Sequence, residues 1–399
     1  MSALEGVRVI ELTQIMAGPF CGQVLADMGA DVIKIEPPET GDQTRRSMGE
    51  SAFRAVNRNK RSITLNLKDP GDRATLHRLV ETADVLLENY RPGVAKKLGA
   101  DYETLRGLNP RLVYASISGF GQTGPYAQRP GFDLIAQGMS GIMSVTGEPG
   151  GDPVKAGVPV SDLGAGLFCA IGILSALHAR ERTGEGQQVD TSLWEGAMAL
   201  TVWETAELWS TGNIPQPLGS AHRLSAPYQA LRTRDGYVTV GGNTQKLWTL
   251  LCGAIGRPEL VEDPRFATNP DRMRNRPELV VELEAALTER TTAEWVESLL
   301  AAGVPAGPLH NVQQVVDDPH TQAREMVVEM EHPEAGTVYG LGIPVKLSAT
   351  PGSVRRPAPT LGQHTDEILA ELGDARLTAR VAASSRPEGS DSRAPKDAT

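Results

Sequence analysis

Cysteine is scarce in this chain. Its three cysteines, Cys21, Cys169 and Cys252, are far apart among 399 residues and include no Cys-x-x-Cys pair. That excludes a disulfide framework and a zinc ribbon, and fits the reduced, buried thiols of a cytoplasmic protein. The seven histidines form no His-Glu-x-x-His and no helix-spaced pair, so no metal site is expected. Positive charge is in deficit too. Against 49 Asp and Glu stand 39 Lys and Arg, and the net charge of −10 argues against nucleic-acid or anionic-membrane partners. No unbroken apolar run reaches the ~18 residues that a membrane span needs. Met1–Gly6 lacks the basic n-region of a secretory signal, so no leader and no membrane partner are expected.

What is present is a repeated strand–helix alternation. With 40% hydrophobic and 22% charged residues the composition is that of a globular protein, and the length suits two or three domains. Val7–Leu12, a helix through 24–28 that stops at Gly29, and Asp31–Glu36 read as a βαβ unit, the signature of a parallel sheet covered by helices. Strands at Ser62–Leu67, Asp84–Glu88 and Leu112–Ser118 extend it to a doubly wound α/β domain over 1–210. Gly119-Phe120-Gly121-Gln122-Thr123-Gly124 matches the dinucleotide fingerprint. Pro125 and a polar segment follow it where that motif needs a helix, so a glycine loop after a strand is the better reading than NAD binding. Arg54, Arg58, Lys60, Arg61 and Lys68 form a basic cluster, and Asn89-Tyr90-Arg91 with Lys96 and Lys97 a second polar one. Both fall at strand ends, where open α/β sheets bind ligands, so a phosphorylated ligand is expected.

Gly157–Phe168 sets Asp162 at the start of an apolar, glycine-containing helix. Two readings stand for it: a helix cap, or a nucleophile whose developing charge is held by free N–H groups. The sequence then predicts a short strand at 188–190 and one long helix over 192–210, with Trp194, Trp203 and Trp209 used in packing. Residues 211–225 read as a linker, and 226–324 as a smaller α+β domain with a hairpin across Thr233–Gly236 and helices near 244–255, 276–289 and 292–301. Strands at 326–331 and 342–347 and a helix at 363–372 make 325–380 a return to the first domain. The Ser-, Pro- and charge-rich tail, 381–399, is expected to be disordered.

Several of these segments, taken in order, resemble the class III CoA-transferases, a family that includes formyl-CoA and carnitine CoA-transferases and α-methylacyl-CoA racemases. They are Ala17-Gly18-Pro19, Gly29–Glu36, Asn57–Ser62, Asn89–Gly93, Gly131-Phe132-Asp133, Val160–Leu163 and Leu361–Thr365. The resemblance implies a Rossmann-like large domain built from both chain ends, a smaller central domain and an interlocked, ring-like homodimer. It also implies that Asp162 is the catalytic carboxylate, attacking an acyl-CoA and later carrying CoA as a thioester, with no tightly bound cofactor and no metal. Its CoA contacts map onto Gln14, Ala17, Leu65, Lys68, Asn89, Arg91, Lys97, Arg129 and Phe132; Pro37 replaces a cation of relatives, which leaves Arg58 or Lys60 for that role. The racemase reading needs a histidine where Phe132 stands and so lacks its base. The Ala221-His222 and Pro227–Ala230 pattern is similar to dicarboxylate enzymes of the succinyl-CoA:hydroxymethylglutarate or itaconate type, with His222 or Arg223 as candidates for a distal carboxylate. A noncatalytic CoA-binding protein and a dehydrogenase are the competing classes.

Overall fold

The computed structural model describes residues 1–373; residues 374–380 of the returning segment and the tail 381–399 lie outside the described residues. The chain divides into two compact units, one made of Met1–Ala136, Pro159–Ala197 and the described chain from Val328, the other of Gln137–Val158 and Met198–Val327.

The first unit is built on six parallel strands, β1 (Arg8–Leu12), β2 (Asp31–Glu36), β3 (Lys60–Thr64), β4 (Val85–Glu88), β5 (Val113–Ser118) and β6 (Gln188–Ser192), in the order β3-β2-β1-β4-β5-β6. Side chains alternate between two buried faces. Val9, Val32, Val85, Leu87 and Ala115 meet the helices Ala17–Asp27 and Val160–Thr183 on one side. Ile10, Ile33, Ile63, Leu86 and Tyr114 meet the helix Pro70–Glu81 and Ile368 on the other. Burial on both faces is what a doubly wound parallel sheet requires. The helix Val160–Thr183 is long and apolar enough by composition to cross a bilayer, but its Ala165, Cys169, Ala170, Ile173 and Ala176 are part of the core against this sheet.

Strand β3 begins two residues before the expected 62–67 because its charged start is interior. Lys60 is fully buried, and Arg61 is held by Asp31, Glu367 and Glu371. A buried charge survives only when paired, and here the partners come from distant segments, so the run reads from sequence as an exposed turn. The returning segment docks on this edge through the helix Thr365–Glu371, with the His364 Nδ1 accepting from the Ser62 N–H.

The second unit carries an antiparallel sheet, β7 (Tyr228–Arg232), β8 (Tyr237–Gly241) and β9 (Ala306–Pro308). Trp248, Phe266, Leu283, Leu287, Trp295 and Leu299 form its core, drawn largely from the helices Gln245–Ala254, Arg276–Leu287 and Thr292–Ala301. Segment 211–225 lies inside this unit. The long helix expected over 192–210 is two, Leu193–Ala199 and Val202–Thr211. Thr201 breaks it: its hydroxyl turns back to the Met198 carbonyl, a local bond that competes with the helical one. Trp203 and Trp209, expected to pack, are 55% and 79% exposed. A last hairpin pairs β10 (Val327–His332) with β11 (Gly336–Leu341), so the second strand lies before the expected 342–347.

Candidate active site

The strand order reverses between β1 and β4, and the crevice at the carboxyl ends of such strands is where doubly wound sheets bind ligands. A cavity of about 390 Å³ opens there, lined by Gln14–Ala17 after β1, Asn89–Pro92 after β4, Ser118 at the end of β5 and Gly119 after it, Arg129, Gly131, Phe132 and Asp162. A second hollow of about 270 Å³ shares Gln14 and Tyr90 with it and is walled by Pro37, Leu65, Lys68 and Leu98.

The two loops of the crevice are locked together. Asn89 accepts from the Gln14 N–H at 2.9 Å and donates to the Gln14 carbonyl at 2.7 Å. Ile15, at φ 72°, sits in the left-handed region that β-branched residues avoid, with its N–H held by Asp42. Beneath the loop lies a buried ionic cluster: Lys34 reaches the Thr13 carbonyl at 2.8 Å, Glu11 at 3.0 Å and Asp42 at 3.1 Å, and Lys60 reaches Glu11 at 2.8 Å. Burial pulls Lys60 down to about 8 even though Glu11 opposes the shift. For Asp42 burial alone would raise the pKa, but Lys34 and the Thr44 and Ile15 N–H bonds hold it below the usual range.

Asp162 is the third residue of the helix Val160–Thr183 and half-buried. The cap position belongs to Pro159, which has no side-chain acceptor; the Ser161 N–H is taken instead by Asp133 at 3.0 Å. Asp162 is therefore not the cap, and among the described residues its carboxylate has no hydrogen-bond partner. A helix start favours an anion, yet burial first and the Asp133 charge second push the Asp162 carboxyl up to about 7. The helix can approach this closely because Gly166 lies against the Ala17 carbonyl, where an added Cβ would come to 2.8 Å. Glu88, below the second loop, is likewise pushed up to about 7 by burial, with the Tyr90 N–H opposing.

Of the residues named from sequence, Gln14, Ala17, Asn89, Arg91, Arg129, Phe132 and Asp162 converge on the main cavity, and Leu65 and Lys68 on the adjoining hollow. Lys97 ends the short helix Val94–Lys97 and lines neither. Arg58 and Lys60 are corrections: Arg58 is buried against Asp27 at 2.7 Å and Lys60 against Glu11, so neither cation faces the cavity beside Pro37. His222 and Arg223 belong to the second unit. His222 stacks on Tyr228 with ring centroids 4.7 Å apart, and Arg223 is paired with Glu204 at 3.3 Å and Glu207 at 3.0 Å. Its guanidinium is thereby satisfied within its own unit.

Sequence reasoning missed Ile15, Ser118 and the role of Asp133. It also left the glycine loop without a purpose. Gly119 and Gly131 touch backbone to backbone, so that a Cβ on Gly119 would lie 2.9 Å from the Gly131 Cα. Glycine there permits close packing at the cavity wall rather than a pyrophosphate contact.

The chain matches the model of CoA-transferase family III over residues 4–365. It is 41% identical over 392 residues to a succinate–glutarate CoA-transferase of Agrobacterium fabrum, covering 94% of this chain and 97% of that one. Identity is 45% over 376 residues to an acetyl-CoA:oxalate CoA-transferase of Acetobacter aceti, covering 92% and 95%. The crystal structure of a CAIB/BAIF family protein from Brucella suis superposes with a TM-score of 0.84 at 41% identity, covering 93% of this chain and 99% of that one. On these grounds the protein belongs to CoA-transferase family III and is an enzyme of that class.

Proposed function

We propose that this enzyme moves CoA between a dicarboxylic acyl-CoA such as succinyl-CoA and a free carboxylic acid, with Asp162 as the covalent carrier. The observation that supports it is a carboxylate without a hydrogen-bond partner among the described residues, at a helix start, in the cavity at the sheet's switch point. The dicarboxylate preference rests on relatives named for succinate, glutarate and oxalate.

In the first step an Asp162 oxygen attacks the thioester carbonyl; the C–S bond breaks and CoA leaves as thiolate, giving a mixed anhydride. The thiolate then attacks the Asp162 carbonyl carbon and expels the donor acid as a carboxylate. The acceptor acid reverses both steps. A carboxylate nucleophile thus splits an exchange between two acids into reversible covalent stages. Free N–H groups of the first helical turn are suited to the oxyanion that develops at Asp162. CoA is a substrate here, with Gln14, Ala17, Asn89, Arg91, Arg129 and Phe132 as its contacts in the main cavity and Leu65 and Lys68 beside the adjoining hollow. Arg58 and Lys60 have no part in it.

We infer also a soluble, cytoplasmic enzyme acting as an interlocked homodimer whose large domain uses both chain ends. Leu167, Phe168, Ile171 and Leu174, one exposed apolar stripe of the helix Val160–Thr183, support a protein neighbour. Incubation with succinyl-CoA followed by hydroxylamine should leave a hydroxamate on the Asp162 peptide in mass spectrometry. An unmodified peptide alongside continuing CoA exchange would sink the covalent route.

A further inference from the structure

We propose that Asp133 is a positioning residue for this reaction: it fixes the first turn of the Asp162 helix and sets a second carboxylate against the nucleophile, driving Asp162 toward its uncharged covalent forms. The proposal rests on the covalent reading above. Its geometry is a double tie. Asp133 Oδ1 accepts from the Ser161 N–H at 3.0 Å, and the Ser161 hydroxyl reaches the Asp133 carbonyl at 3.4 Å. Ser161 is fully buried, so the turn that carries Asp162 has no room to swing. Asp133 supplies from another segment the cap that Pro159 lacks.

The charge of Asp133 has a separate consequence. The first turn of the helix holds no other acidic residue, and the other charged side chains lining the cavity are Arg91 and Arg129. Burial and then Asp133 act on Asp162 in the same direction, against the ionised form. As mixed anhydride or as CoA thioester Asp162 is neutral; the negative charge it held is on the CoA thiolate in the first state and leaves on the donor carboxylate in the second. Each covalent form therefore relieves a repulsion that the free enzyme carries. The carboxylate is kept reactive by what surrounds it at rest, rather than by a general base.

Asp133→Asn separates the two roles, because its amide oxygen still accepts from Ser161 while the charge is gone. Two quantities are measured: the pH profile of kcat/KM and the fraction of Asp162 trapped by hydroxylamine at a fixed succinyl-CoA concentration. The acid limb, near pH 7 in the wild type, should move at least one unit toward the ordinary carboxylate range, and the trapped fraction above the limb should fall about tenfold for each unit moved. Asp133→Glu, which keeps the charge, should hold the limb within half a unit of the wild type, to order of magnitude. A limb and a trapped fraction unmoved in folded Asp133→Asn overturn the proposal, since a purely structural residue shifts neither. Should Asp133→Asn fail to fold, Asp133→Ser is read the same way, and a wild-type limb at about 4, the value of a free carboxylate, overturns it outright. Wild-type enzyme that exchanges CoA without any hydroxamate defeats the covalent reading instead, which keeps the two failures apart.

Discussion

Lys34→Met tests whether the buried charges beneath the cavity hold its floor loop. The ammonium is fully buried and has three oxygen partners, the Thr13 carbonyl at 2.8 Å, Glu11 at 3.0 Å and Asp42 at 3.1 Å. Removing one member of a buried ion pair costs about 3–5 kcal/mol, because the partner is left uncompensated. Two features place this case at the lower end. Glu11 keeps Lys60 at 2.8 Å and the Thr13 hydroxyl at 2.7 Å, and Asp42 keeps the N–H groups of Ile15 and Thr44 and the Thr44 hydroxyl. The expected loss is about 3 kcal/mol, read from urea unfolding of the first unit with an unchanged slope. The sign of its pH dependence follows from Asp42, whose folded pKa lies below its unfolded one. Such a group stabilises the fold above its unfolded pKa, and that stability is lost as pH falls through the folded value. With Lys34 gone the contribution shrinks, so the loss seen at neutral pH should diminish as pH falls below about 4 toward the folded value. The acyl-CoA kcat/KM should fall together with stability, as Ile15 relaxes from φ 72°. A loss below about 1 kcal/mol at neutral pH would refute the reasoning, since only a solvated or redundant charge behaves so.

Three further outcomes are expected. Asp162→Asn should abolish CoA exchange and raise the urea midpoint at pH 8 but not at pH 4. Folding raises the Asp162 pKa to about 7, so stability falls as pH rises from the ordinary carboxylate range toward that value, the cost is complete above it, and a neutral amide removes the cost. Gly119→Ala should lower kcat/KM at least tenfold and destabilise by about 1–3 kcal/mol, because the new methyl meets the Gly131 backbone rather than a movable side chain; steady-state kinetics and unfolding check both. Arg223→Ala should leave the ratio of dicarboxylate to monocarboxylate turnover unchanged, since Glu204 and Glu207 already occupy the guanidinium. A changed ratio in competition assays would restore Arg223 as a reader of the acid.

Much of the first unit was legible because its signals are local. The alternation of Val9 with Ile10, Val32 with Ile33 and Val85 with Leu86 assigns strands buried on both faces, and Gly29 and Asp69-Pro70 mark helix ends. What misled was any residue whose partner is remote. Arg58, Lys60 and Arg61 look like a phosphate cluster until Asp27, Glu11 and Asp31 are seen to neutralise them. The 192–210 helix looked continuous because a hydroxyl's choice of acceptor at Thr201 leaves no trace in periodicity.

The candidate site divides the same way. Sequence by itself named Gln14, Asn89, Arg91, Arg129, Phe132 and Asp162, through the ordered motifs that resemble the family, and the fold gathers them at one crevice by the strands' carboxyl ends. Only the tertiary structure decided which charges are free to act. Burial and pairing are properties of the assembled interior. They remove Arg58 and Lys60 from the site, bring Asp133 to the turn before Asp162, and leave that one carboxylate desolvated without a hydrogen-bond partner among the described residues.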